Sequence, residues 1–155
     1  MPIEIERKYL VNKTKWNETD KPQGQFFRQG YLLTDPNKTI RIRVTDSKGY
    51  LTIKGLSIGA TRPEFEYEIP KDEAEQLLNM FTISDLTKVR YKILVNENLW
   101  EVDEFLGDNE GLIVAEIELQ SEEEAFVLPI WAEKEVTGED KYYNSTLSIL
   151  PYKNW

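Results

Sequence analysis

Along most of this chain the apolar residues recur at every second position, in runs broken by Gly, Asn, Asp and Pro. That is the pattern of consecutive antiparallel strands. Eight runs are predicted as strands: Glu4 to Val11, Gln25 to Leu33, Thr39 to Asp46, Gly49 to Lys54, Thr61 to Ile69, Asp85 to Val95, Leu99 to Phe105 and Leu112 to Gln120. Turn chemistry separates them at Asp35-Pro36-Asn37, Ser47-Lys48-Gly49, Asn96-Glu97-Asn98 and Gly107-Asp108-Asn109. Helical signals are few. Pro70-Lys71-Asp72-Glu73 opens a helix toward Met80, Ser121-Glu122-Glu123-Glu124 places acids in a first turn behind a Ser cap, and a third helix is predicted over Gly138 to Leu147. Without an internal repeat, a low-complexity linker or a break in composition, the expectation is one domain over residues 1–155. Eight antiparallel strands in so small a domain favour closure into a barrel, because closure removes the unpaired edges that invite aggregation. The expected fold class is mainly β (α+β): an eight-stranded antiparallel β-barrel with a few peripheral helices, one of them C-terminal.

The polar positions carry the second pattern. Side chains of a strand alternate between faces, so Glu4, Glu6 and Lys8 share one face, and Arg41 and Arg43 lie opposite Ile40, Ile42 and Val44. Glu64, Glu66 and Glu68 oppose Phe65, Tyr67 and Ile69, and Lys54 is set apart from Leu51 and Ile53. Lys88, Arg90 and Lys92 oppose Val89, Tyr91 and Ile93; Glu101 and Asp103 oppose Trp100 and Val102; Glu116 and Glu118 oppose Ala115, Ile117 and Leu119. One explanation is an ordinary sheet with its charged face in water. Solvent faces, however, usually mix Thr, Ser, Gln and Lys, whereas these are almost wholly charged, with carboxylates and cations on different strands. Segregation of sign by strand points to a site inside a closed lumen. Each charge buried there costs several kcal/mol unless it is paired or meets a ligand.

Composition narrows the chemistry. With no cysteine and no histidine, disulfides, thiolate metal sites, zinc chemistry and His-based catalysis are excluded, and a metal would have to be held by oxygen. That favours hard cations such as magnesium, manganese or calcium. Nineteen basic against 28 acidic residues give a formal charge of -9, which disfavours non-specific binding of nucleic acid or an anionic membrane. The first residues lack a signal-type apolar stretch and no run approaches membrane-spanning length, so the expected setting is the cytoplasm, in a bacterium. Paired carboxylates on the first and last strands, Glu4 with Glu6 and Glu116 with Glu118, would share divalent cations while guanidinium and ammonium groups grip a polyanion. Metal and arginines together point to a polyphosphate.

These residues also carry a family resemblance. Glu4-Ile5-Glu6-Arg7-Lys8 resembles the ExExK signature of the CYTH superfamily, the triphosphate tunnel metalloenzymes, and the likeness continues in order along nearly the whole chain. Gln29-Gly30-Tyr31-Leu32 is similar to the family's second strand, Arg41-Ile42-Arg43 to its RxR strand, and Leu51-Thr52-Ile53-Lys54-Gly55 to its lysine strand. Arg62-Pro63-Glu64-Phe65-Glu66 resembles the acidic strand that follows, and Lys88-Val89-Arg90-Tyr91 the KxRY strand. Glu101-Val102-Asp103 and Ala115-Glu116-Ile117-Glu118 are similar to the late carboxylate strands, and Glu135-Val136-Thr137-Gly138 with Tyr142-Tyr143-Asn144 to the closing helical segment.

The resemblance implies a tunnel that binds a triphosphate and depends on Mg2+ or Mn2+. It implies that Lys8, Arg41, Arg43, Lys54, Lys88 and Arg90 hold phosphates and that Glu4, Glu6, Glu116 and Glu118 carry metal, with Glu64 and Asp103 joining the metal set. Glu66, with Asp103, would be a supporting acid in the metal shell or orienting a water, and Lys88 would pair with Tyr31 as in short bacterial members, so that Lys88, Tyr31 and Glu66 are the expected catalytic residues. Glu68, Lys92 and Glu101 are expected at the solvent or at strand ends. Inorganic triphosphatase is the expected activity. Its alternatives are a class IV-type adenylate cyclase making cyclic AMP from ATP, a thiamine triphosphatase, a non-catalytic polyphosphate-binding module and a lipocalin-like carrier. No added segment supplies a nucleoside pocket, and Trp16, Trp100, Trp131 and Trp155 are scattered as packing residues are. The charged stripes disfavour an apolar carrier. The expected partner is a small-molecule triphosphate; a homodimer is compatible with the chain. Pro63 cannot donate a ladder bond, so its strand must begin there or bulge at an edge.

Overall fold

The computed structural model describes residues 2–155. Nine strands form: β1 Ile3–Val11, β2 Gln25–Asp35, β3 Lys38–Val44, β4 Gly49–Gly55, β5 Thr61–Ile69, β6 Ser84–Val95, β7 Asn98–Phe105, β8 Ile113–Glu118 and β9 Ala132–Glu135. The first eight are the predicted ones, to within a few residues at each end. They pair antiparallel in the order β5-β4-β3-β2-β6-β7-β8-β1, and β5 returns to β1 to close the barrel. The seam is short: Ile3, Glu4 and Ile5 pair with Pro63, Arg62 and Thr61. Pro63 sits where β5 leaves β1, and pairing with β4 resumes at Glu64 opposite Lys54. A residue that cannot donate is tolerated at such a handover. The Asn96-Glu97 turn between β6 and β7 holds both residues at positive φ, 46° and 72°, the primed hairpin geometry that matches strand twist.

Four elements depart from the sequence-based expectation. The short strand β9 pairs with β1 at Tyr9 and Val11, beyond the reach of β5. Its sequence, Ala-Glu-Lys-Glu, is too short and too charged to show alternation. A five-residue helix, α1 Lys13–Asn17, follows β1; Asn12 caps it by accepting from the Lys15 amide at 2.9 Å. The Ser121-Glu124 stretch is a turn and not a helix, because Glu124 folds back to accept the Gln120 amide at 2.6 Å. The predicted helix over Gly138 to Leu147 is broken into a 3-10 turn at Asp140–Tyr142 and a short helix at Asn144–Leu147, with extended Tyr143 between them. The helix from Pro70 forms as expected over Lys71–Phe81 and is α2; the short one at Asn144–Leu147 is α3.

The apolar faces of the strands point outward, and those of β1, β3, β7 and β8 are covered, whereas Phe26, Ile53 and Tyr67 on other strands stay exposed. Trp16 of α1 and Trp131, both buried, pack edge to face at 5.3 Å. They join Tyr9, Trp100, Val102 and Ile117 in a cluster over β1, β7 and β8. Three of the four tryptophans are thus structural, while Trp155 lies half-exposed against Tyr142 and Tyr152. Helix α2 lays Ala74 and Leu78 against Ile42. It approaches so closely that a Cβ at Gly49 would sit 2.5 Å from the Ala74 methyl. With the apolar side chains spent on the outside, the barrel interior is left to the charges. Among the described residues, no helix is long and apolar enough to cross a membrane.

Candidate active site

The strand circuit places β1 and β8 across the barrel from β2 and β3. Glu6 lies opposite Glu118 in the β1–β8 ladder, with Lys8 opposite Glu116, so the acids of these strands form one wall. The facing wall carries Arg41 and Arg43 of β3 and, beyond β2, Lys88 and Arg90 of β6. Between them is a cavity of about 480 Å³ onto which these groups open. The segregation of sign by strand therefore becomes two charged walls facing one another across a lumen.

Each cation is held in its own way. Asp103, nearly inaccessible, accepts from Lys88 Nζ at 2.8 Å and takes Arg90 bidentately at 2.8 and 2.9 Å. Burial pushes the Lys88 amine down to about 7; Asp103 opposes that shift, and the neighbouring Arg90 and Arg43 reinforce it. The second acceptor for Lys88 Nζ is Asn144 Oδ1 at 2.8 Å. Arg41 Nη2 donates to Glu66 at 3.2 Å and to Thr52 at 3.1 Å, while its Nε is buried without a hydrogen-bond partner among the described residues. Lys54 bridges Glu4 at 3.2 Å and Glu64 at 3.0 Å. Lys8 lies 3.7 Å from Glu116 and donates to the Tyr142 carbonyl at 3.3 Å.

The acids divide by their company. Burial would raise Glu4, but Lys54, a hydrogen bond with Glu64, and Arg62 hold it well below the usual carboxylate range. Glu64 is pushed up to about 7 by burial and by the hydrogen bond it shares with Glu4, against the pull of Lys54. Glu6 is raised by burial and then by Glu116 and Glu4. Glu116 stays ionised because Lys8, Arg90 and a hydrogen bond from Glu6 outweigh its burial. Glu118 is raised by burial and by Glu4 and Glu101. Among the described residues neither Glu6 nor Glu118 forms an ion pair with a cation. Carboxylates crowded in this way, each disfavouring the charge on its neighbours, are a donor set that suits a hard divalent cation. No group of three or more acids among the described residues is drawn together into metal-holding geometry, so a cation would have to pull Glu6, Glu116 and Glu118 inward.

The family match is extensive. The CYTH domain matches residues 2–150. This chain belongs to the CYTH family. It is 47% identical over 156 residues to an inorganic triphosphatase of Acetivibrio thermocellus, covering 100% of this chain and 99% of that one. It is 32% identical over 154 residues to an inorganic triphosphatase of Nitrosomonas europaea, covering 94% and 97%. The crystal structure of the inorganic triphosphatase NE1496 superposes with a TM-score of 0.66 at 31% identity, over 96% of this chain and 95% of that one.

The CYTH barrel brings Glu4, Glu6, Lys8, Tyr31, Arg41, Arg43, Lys54, Glu64, Glu66, Lys88, Arg90, Glu116 and Glu118 onto the one cavity. Asp103 stands behind them, with both carboxylate oxygens engaged by Lys88 and Arg90. Tyr31 is buried but has no hydrogen bond to Lys88 among the described residues. Gln29 Nε2 reaches both the Tyr31 hydroxyl at 3.1 Å and Asn144 Oδ1 at 3.2 Å, so the two groups are linked through a pair of amides. Of the residues expected at solvent or strand ends, Glu68 pairs with Lys48 in an exposed contact, whereas Glu101 accepts from Arg90 at 3.2 Å and Lys92 lines the cavity mouth.

Sequence reasoning missed four participants. Arg62 donates to Glu4 at 3.2 Å and lies 5.5 Å from the centre of the Tyr143 ring; it shares the lumen parity of Glu64 and Glu66, a signal that could have found it. Gln29 and Phe27 share parity with Tyr31 and could have been found in the same way. Asn144 lies in a segment whose fold brings it back into the barrel, which no local pattern reveals.

Proposed function

We propose that this CYTH barrel hydrolyses inorganic triphosphate to diphosphate and orthophosphate, with residues 1–155 as a single catalytic domain. The observation that carries this reading is the buried, unpartnered Arg41 Nε in a lumen whose cationic wall faces carboxylates. A buried donor without an acceptor costs free energy that an anion with many oxygens would recover. The names of the Acetivibrio thermocellus and Nitrosomonas europaea relatives support the same substrate. We place the reaction in the cytoplasm, a setting with which a cysteine-free chain is compatible.

In this reading Lys8, Arg41, Arg43, Lys54 and Arg90 bind phosphate oxygens, and Glu66 with Thr52 holds the Arg41 fork in place. Glu6, Glu116 and Glu118 would hold Mg2+ or Mn2+, which when bound supplies charge neutralisation at the phosphates. Asp103 and Asn144 accept from Lys88, so a neutral amine has both N–H donors fixed and its lone pair free. Water attacks a terminal phosphorus, forming a P–O bond as the phosphoanhydride bond breaks, and Lys88 takes the proton.

Phosphate release from triphosphate, ATP and thiamine triphosphate, with and without Mg2+ or Mn2+ and with cyclic AMP scored in parallel, tests the proposal. Metal-dependent release from triphosphate without cyclic AMP is expected. Tight binding with no turnover of any substrate would make the barrel a polyphosphate sensor instead. Within the same assay, Glu118→Gln is expected to keep the fold and to raise the divalent-ion concentration needed for half-maximal turnover by roughly 10–100-fold. An unchanged metal requirement in that variant would remove Glu118 from the donor set.

A further inference from the structure

Among the described residues, Phe27, buried on β2, is the one lining residue of the cavity without a polar side-chain atom. On β2, Gln25, Phe27 and Tyr31 line the cavity, and the buried Gln29 lies between Phe27 and Tyr31 on the same face of the strand. Gln25 is paired with Arg90 of β6, and Gln29 with Arg43 of β3. Phe27 therefore lies diagonal to both arginines, one on each neighbouring strand, within reach of long side chains. The Arg43 guanidinium carbon is 4.8 Å from the centre of the Phe27 ring and that of Arg90 is 5.2 Å, both inside the range of cation–π attraction.

The two arginines are otherwise held differently. Arg90 is tied to Asp103 and Glu101. Arg43 forms no ion pair among the described residues, and its one side-chain hydrogen bond there runs from Nε to Gln29 Oε1 at 3.3 Å. A carboxylate partner would occupy the same fork that a phosphate needs. An aromatic face attracts the cation without consuming an N–H donor.

Resting on the triphosphate reading of this lumen, we propose that Phe27 is a positioning residue: its ring holds the Arg43 guanidinium beside Arg90 with both terminal nitrogens of Arg43 left open for a phosphate oxygen. Conventional packing would need only the shape of the ring. The attraction proposed here needs its electrons.

The test replaces Phe27 with phenylalanines carrying increasing numbers of ring fluorines, which nearly preserve shape and weaken the negative face, and adds Phe27→Leu. Affinity for inorganic triphosphate is measured by calorimetry, and water exchange of the Arg43 Nε–H is measured by NMR on the ligand-free protein. Stepwise weakening along the fluorinated series is expected, reaching about tenfold in Phe27→Leu. Exchange of the Arg43 Nε–H should quicken in the same order. A flat series in both measurements overturns the proposal, even if Phe27→Leu binds poorly or fails to fold. If the wild-type barrel binds no triphosphate, the functional reading falls by itself, and the exchange series still decides whether the ring holds Arg43.

Discussion

Asp103→Asn is expected to lower the melting temperature by roughly 10 °C, the largest stability loss of any single change in the lumen. Asp103 is 1% exposed and is shared by two buried cations, Lys88 at 2.8 Å and Arg90 through two hydrogen bonds. An amide keeps the shape but removes the charge and turns one acceptor into a donor aimed at a cation. Breaking a buried pair from one side costs about 3–5 kcal/mol, because the remaining charge has neither water nor a partner. Triphosphate should restore part of the loss, since the polyanion supplies counter-charge to the same cations. Thermal melts with and without triphosphate check both statements. A melting temperature within a degree or two of wild type would mean that water reaches Lys88 and Arg90 and compensates the lost carboxylate.

Lys88→Met should do the opposite, costing turnover and sparing the fold. Asp103 keeps its bidentate Arg90 in this variant, so no buried carboxylate is stranded. If Lys88 receives the proton from the attacking water, kcat should fall by about 10²–10⁴-fold. The pH dependence separates this role from simple phosphate binding. With the folded-state amine at about 7, the neutral form grows as pH rises through that value, and kcat/KM of the wild type should rise with it. Lys88→Met should lack that limb. Burial and the hydrogen bond with Glu4 also push Glu64 up to about 7, and persistence of the limb in the variant would transfer it to Glu64 and remove Lys88 from proton transfer.

Stability gives an independent readout of the same group. Between about 7 and the ordinary lysine value of 10.5, the unfolded chain holds a proton at Lys88 that the folded chain has released. Folding is therefore favoured increasingly as pH rises across that window. The rise should be smaller in Lys88→Met.

The eight strands and their lumen faces were legible because the alternation is long and the turns carry Gly, Asn, Asp and Pro at the positions that demand them. The same alternation made the site legible, since in a closed barrel every charge of one parity has to meet the same space. What escaped depends on contacts between distant segments. β9 is a strand only because β1 offers it an edge beyond the reach of β5. Asn144 reaches Lys88, 56 residues away in sequence, because the chain breaks at Tyr143 and turns back into the barrel. Asp103 shared the lumen parity and was expected to carry metal, but only the geometry reveals that two cations engage both of its oxygens. Lys88 and Tyr31 were expected to touch, and the two amides between them could not be foreseen from strand parity.

The most direct measurement is a crystal structure with inorganic triphosphate diffused into the protein. Density for the anion is expected between the β1–β8 acids and the β3–β6 cations, with a phosphate oxygen within hydrogen-bond distance of Arg41 Nε. Triphosphate bound only on the outer surface, with Arg41 Nε still unpartnered and the lumen filled by water, would contradict the account.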